Sequence, residues 1–192
     1  MKKIFFFLFS FIVMMNLAGQ NKFTDSRDGN VYKTITFNNV TWMGENLRYQ
    51  TKDEVALGDN DPKTNMEYGA LYDWKTSMKV CPEGWHLPSG EEFQVLINYF
   101  NHKEGWISKG PKVQAFGIQL AGMKDYEGSF TEMDESAYLW TSTEYDNDNA
   151  EYFSYMVVVN TPVIDISRKD DISDVHGTEK ANKYSVRCVK NQ

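Results

Sequence analysis

The chain has 192 residues, with 20 basic and 27 acidic side chains and a formal charge of −7. That length is one domain with room for a substantial core, and the acidic balance disfavours nucleic acid, whose phosphates are bound by basic surfaces. Aromatic residues make up 15% of it, which fits either a core of stacked rings or an exposed sugar-binding face.

Met1, Lys2 and Lys3 form a cationic start, and residues 4–15 are apolar apart from Ser10. Asn16-Leu17-Ala18-Gly19-Gln20 follow, with small residues suited to a signal peptidase. These are the three parts of a secretory signal. Residues 1–19 are therefore expected to be a signal peptide cleaved near Gly19 or Gln20, leaving a single domain over 20–192; an uncleaved N-terminal anchor is the alternative. The apolar run is shorter than the roughly 20 residues that cross a bilayer, so no membrane span is expected in the mature chain. No cysteine follows the run, which disfavours a lipid anchor. Cleavage removes two bases and no acid, and acidic loops on the mature chain suit a cation. The expected location is secreted, periplasmic or on the outer cell surface. In an exported chain, Cys81 and Cys188 are most simply read as one disulfide; two free buried thiols are the alternative.

Residues 31–37 alternate in character and are rich in β-branched side chains, so a strand is predicted there. Asn38-Asn39 then separates it from Val40-Thr41-Trp42-Met43, the pattern of a two-residue hairpin turn. Residues 50–65 are polar and contain Gly58-Asp59-Asn60-Asp61-Pro62, a strong loop signal. Leu71, Trp74 and Met78 have helical spacing and predict a first helix over 67–78. The second helix is clearer: Ser89 and Glu92 form a capping box after Pro88, and Phe93, Leu96, Ile97 and Phe100 lie on one apolar face. Its end is expected near Asn101 or His102. Residues 105–122 are punctuated by Gly and Pro, with a short apolar piece at 116–120. Strands are predicted at 137–144, 152–159 and 184–189, with a charged loop at 165–182. Strands, two helices, then strands make an α+β domain.

Five segments carry a resemblance. They are Thr41-Trp42-Met43-Gly44-Glu45-Asn46-Leu47, Tyr68-Gly69-Ala70-Leu71-Tyr72-Asp73-Trp74, Cys81-Pro82-Glu83-Gly84-Trp85-His86-Leu87-Pro88-Ser89, Leu139-Trp140-Thr141-Ser142-Thr143-Glu144 and Ser185-Val186-Arg187-Cys188-Val189. In this order, over roughly residues 23–190, they resemble the Fibrobacter succinogenes major paralogous domain, whose members are exported or surface proteins with no settled activity. The start of the capped helix is also similar to that of the formylglycine-generating branch of C-type-lectin-like folds. The resemblance implies a C-type-lectin-like core with two helices, a small mixed or antiparallel sheet, long loops and one disulfide. The chain departs from the pattern at Leu120-Ala121-Gly122-Met123-Lys124-Asp125 and in the long charged stretch 165–182.

Formylglycine-generating relatives use a reactive cysteine pair. Here both cysteines match the bridge positions of the paralogous domain, so no thiol pair is left for that chemistry. His86, His102 and His176 are scattered, and no metalloprotease, nucleophile-elbow or phosphate-loop motif is present. His86, between Trp85 and Leu87, reads as a packed, hydrogen-bonded histidine rather than a base. A calcium site is the sharper idea, because a hard cation wants six to eight oxygens and Tyr145-Asp146-Asn147-Asp148-Asn149 offers side-chain oxygens in a row. The lectin triplets are absent, so Asp146, Asn147 and Asp148 read first as a solvated turn, as do Asp59, Asn60 and Asp61.

Glu45, Asn46, Glu144 and Arg187 read as a buried network, with Arg187 expected to pair with Glu45 or Glu144. Trp42, Trp74, Trp85 and Trp140 are assigned to the core, while Trp106, Tyr126 and Tyr145 are candidate ligand contacts. The favoured function is a non-catalytic binding module that recognises a glycan or a protein through loops near 50–65, 122–135, 145–150 and 165–182. An enzyme related to the formylglycine-generating branch and a structural component of a surface assembly are the alternatives.

Overall fold

The computed structural model describes residues 21–51, 62–104, 116–158, 161–166 and 177–192. The expected leader at 1–19, Trp106, His176 and much of the 50–65 and 165–182 loops lie outside the described residues. The domain opens with three antiparallel strands, β1 (Lys22–Thr24), β2 (Val31–Phe37) and β3 (Val40–Met43). The expected hairpin turn is present: Asn38 and Asn39 hold φ of 48° and 65°, a left-handed pair that asparagine tolerates. It sets Phe37 opposite Val40 and Ile35 opposite Trp42, which puts four apolar side chains on one face of the ribbon.

The single helix expected over 67–78 is instead two short ones, α1 (Pro62–Tyr68) and α2 (Trp74–Val80), separated by β4 (Leu71–Tyr72). Gly69 stops the first. Its φ of 83° is left-handed, and a Cβ there would sit 2.6 Å from the Cβ of Asn46. Asp73 starts the second by accepting from the backbone N–H of Thr76 at 2.8 Å, a side-chain cap for an orphan donor. The spacing of Leu71, Trp74 and Met78 thus spans a strand and a helix, and Met78 is 44% exposed. After β5 (Trp85–His86) comes α3 (Gly90–Glu104), making three helices rather than two. Its capping box forms as expected: Ser89 Oγ accepts from Glu92 N at 3.2 Å, and Glu92 Oε2 accepts from Ser89 N at 2.8 Å. Phe93, Leu96 and Ile97 are buried.

The remaining strands are β6 (Met123–Lys124), β7 (Phe130–Thr131), β8 (Ser136–Glu144), β9 (Asn149–Val158), β10 (Thr161–Ile166), β11 (Thr178–Glu179), β12 (Tyr184–Ser185) and β13 (Val189–Lys190). They complete three sheets. One is antiparallel in the order β1-β2-β3-β13-β5, and it curls until rings from its two edge strands, Phe23 and Trp85, meet at 4.8 Å. The second has the order β10-β9-β8-β12-β4, with β11 also on β9, and is mixed because β12 runs parallel to β8. The third is the β6–β7 ribbon. Gly122 leads into that ribbon at φ 61°, where a Cβ would lie 2.1 Å from the Thr131 carbonyl oxygen. Only glycine fits there.

The strand expected at 184–189 divides between the two large sheets. Val186, Arg187 and Cys188 cross from one to the other, and all three are fully buried. Consecutive strand residues point to opposite faces, so three buried in a row require core on every side. Alternation along β8 splits the interior in two: Tyr138 and Trp140 pack with Tyr184, while Leu139 packs with Phe153 and Phe93 under α3. Each fully buried ring or leucine contributes about 1.5–3 kcal/mol. Cys81, at the end of α2, is bonded to Cys188, with Cα atoms 5.9 Å apart. Among the described residues no helix is long and apolar enough to cross a membrane.

Candidate functional site

Arg187 is fully buried, yet its partners are not the carboxylates expected for it. Its Nε and Nη2 donate to Asn46 Oδ1 at 3.3 and 3.0 Å, its Nη1 to the Phe116 carbonyl at 2.6 Å, and its Nη2 also to the Gly117 carbonyl at 2.9 Å. The guanidinium stacks on the Phe116 ring at 4.4 Å. Burial lowers its pKa to about 9, and the Glu45 charge opposes that, so it stays charged at neutral pH. Glu45 itself accepts from Lys33 N at 2.7 Å, and Glu144 takes the Lys180 ammonium at 2.5 Å. The pairing of Arg187 with Glu45 or Glu144 is therefore corrected. Asn46 is the centre instead, because its Nδ2 also donates to the Tyr68 carbonyl and to Ser185 Oγ. An amide both donates and accepts, so it can join a cation to backbone groups where a carboxylate cannot.

Asp146, Asn147 and Asp148 form the turn between β8 and β9. Asp146 Oδ1 accepts from Asp148 N, Asn149 N and Asn149 Nδ2 at 2.8–3.0 Å. Those bonds, the Asn149 side chain foremost, hold its carboxyl below the ordinary range. The oxygens that converge at this turn meet an ammonium: Lys180 Nζ donates to Glu144 Oε1, to the Asp146 carbonyl at 2.7 Å and to the Asn147 carbonyl at 2.8 Å, beside the Trp74 ring. Among the described residues no three His, Cys, Asp or Glu side chains gather as a metal site. Tyr145 is partly buried against Gly177, whereas Tyr126 is 60% exposed at the tip between β6 and β7. Asn182 Oδ1 holds that tip by accepting from Tyr126 N at 2.9 Å.

His86 Nε2 lies 3.0 Å from Glu92 Oε1, and Nδ1 lies 2.7 Å from Asn191 Oδ1. Ser89 Oγ donates to Glu92 Oε2 at 3.1 Å. Serine, carboxylate and histidine are thus in contact, but the carboxylate stands between the other two. A serine nucleophile needs the imidazole on its own hydroxyl. This group caps α3 and ties the chain end at Asn191 to it.

Beside this cap a groove of about 250 Å³ opens between the first turns of α3 and the β2–β3 hairpin. Phe37, Val40, Trp42, Val95, Leu96 and Tyr99 supply its apolar surface, and Asn38, Ser89, Glu91, Glu92 and Gln192 supply its polar lining. Most ligand sites are concave, largely apolar and edged by a few polar groups. Val95 is 52% exposed at its mouth. The sequence reading missed this place. Its one signal was Val95, an apolar residue off the face made by Phe93, Leu96 and Ile97.

The aromatic core also sets an alkaline limit. Burial pushes the Tyr32 and Tyr184 phenols up to about 12 and raises Tyr72 and Tyr138 as well, with the Glu132 carboxylate adding to the last. An unfolded phenol titrates near 10, so the folded chain holds these protons more tightly. The resulting stability is whole below about pH 10 and is lost as pH rises through the folded values. The phenolate signals of these four rings, resolved residue by residue, should therefore change together with circular dichroism as pH rises above about 10. Titration of these buried rings near 10 with the fold intact would contradict this.

The family model described as the Fibrobacter succinogenes major domain matches residues 35–190. No curated protein and no solved structure matches the chain.

Proposed function

The chain belongs to the Fibrobacter succinogenes major domain family, and from that premise we propose that it is an exported, non-catalytic binding module. Its ligand, a glycan or a protein, is received in the groove between α3 and the β2–β3 hairpin. The observation that carries this reading is the groove itself, an open apolar cleft with a polar edge on a disulfide-bonded scaffold. Export is supported by the signal-like N-terminus and by the disulfide, since such bonds persist in oxidising compartments. A C-type-lectin-like arrangement is part of the same reading, supported by the capped helix after Leu87-Pro88 and by the curled sheets. The enzyme alternative has less support, because both cysteines are bonded to each other and Ser89, Glu92 and His86 are engaged in capping.

Expression of the full chain in a bacterium should yield a protein outside the cytoplasm that begins near residue 20. Retention of Met1 in the cytoplasm would end the export reading. The purified mature chain, applied to glycan and peptide arrays with and without calcium, should bind a defined set of probes. That binding should not need calcium, because Lys180 already supplies the cation at the Asp146 turn. It should vanish in Val95→Arg, at an exposed position, with the melting temperature unchanged. Binding that survives this change would move the site elsewhere, and silence on both arrays would sink the reading.

A further inference from the structure

We infer that the groove beneath α3 takes a short peptide segment in which large apolar side chains are flanked by lysine or arginine. This rests on the binding-module reading and names the ligand class for the same site. Two features of the lining decide it. Apolar side chains form most of the surface, from Phe37 and Val40 on the hairpin to Val95, Leu96 and Tyr99 on the helix. A sugar ring carries hydroxyls around its whole rim, and those facing this surface would lose water without gaining a partner. A leucine or phenylalanine side chain has no such groups.

The second feature is charge. Among the described residues, the charged side chains in the lining are Glu91 and Glu92, both acidic. The two play different parts. Glu92 is occupied by Ser89 and His86. Glu91 is exposed, and among the described residues it has no hydrogen-bond or ion-pair partner. It stands one helical turn from Val95, because residues four apart share a helix face. A ligand cation placed there is attracted at the rim while its apolar neighbour fills the cleft. The chain's overall charge of −7 favours the same approach.

The test is a titration of the folded chain with acetyl-Lys-Leu-Leu-Lys-amide, acetyl-Glu-Leu-Leu-Glu-amide, acetyl-Lys-Ser-Ser-Lys-amide and cellobiose, read by amide shifts around Trp42, Val95 and Tyr99. The lysine–leucine peptide should move those signals, and the glutamate peptide should bind at least about tenfold more weakly. Glu91→Gln should weaken the lysine–leucine peptide by about fivefold, and added salt should do the same. The lysine–serine peptide should give no response, as should Val95→Arg with any probe. Equal binding of the acidic and basic peptides overturns the inference, and so does binding by the serine peptide. Cellobiose acting on these signals while no peptide does overturns the peptide class and leaves the binding-module reading standing. No response from any of the four overturns the inference, and silence on both arrays is what separately ends the parent reading.

Discussion

Replacing both bridge cysteines, as Cys81→Ser with Cys188→Ser, is expected to lower the unfolding free energy by about 4–5 kcal/mol. The bridge closes a loop of 107 residues, and the entropy removed from the unfolded chain grows with the logarithm of that length. What it holds in the native state adds to the effect. Cys188 precedes β13, a strand of two residues that lies between β3 and β5 in the five-stranded sheet. So short a strand has few ladder bonds of its own. The Met43 N–H donates to the Cys188 carbonyl at 2.9 Å, so the bridge steadies the pairing with β3. In a domain of this size the melting temperature should fall by about 10–18 °C. Urea unfolding of the double variant should match that of the reduced wild-type chain. A difference from the oxidised protein below about 1 kcal/mol would show that the bridge constrains little.

Arg187→Met is expected to cost about 3–5 kcal/mol, although methionine fills most of the same volume. Exchanging a buried charge for an apolar side chain is often neutral when its partners are exchanged too. Here they stay. Asn46 Oδ1 and the Phe116 carbonyl, both buried, and the part-buried Gly117 carbonyl would lose their guanidinium donor, and a buried polar group that loses its donor costs about 1–3 kcal/mol. Desolvation of the acceptors therefore outweighs the relief from removing a buried cation. Arg187→Lys should recover part of the loss, because one ammonium cannot span three acceptors in the fork geometry of arginine. Chemical denaturation of both variants, with Asn46→Ala to complete a double-mutant cycle, measures the coupling. Additive losses would show that Asn46 is not the centre of the network.

Much of the local structure was legible in the sequence because its causes are local. The Asn38-Asn39 turn needs only two residues that accept positive φ. The capped start of α3 needs only Ser89 and Glu92 three apart, and a short run of strand-favouring residues sufficed for β8. Where the sequence reading failed, the deciding interaction came from a distant part of the chain. The helix expected over 67–78 breaks because Gly69 lies against Asn46, a contact that periodicity does not contain. The expected strand at 184–189 divides because residues 186–188 are enclosed by two sheets at once.

The site shows the same division more sharply. Residue types alone marked Arg187 as a network member and the two cysteines as a pair. Which acceptors Arg187 would find depended on the fold bringing Asn46, Phe116 and Gly117 to it, and the turn at Asp146 faces a lysine from 34 residues away. The groove has no motif at all, since it is the space left where a helix crosses a hairpin. The sequence by itself determined the bridge, the α+β class and the family, each written in short runs or residue identities. Only the tertiary structure decided the polar partners and the groove, because hydrogen-bond geometry and concave shape arise between elements rather than within them.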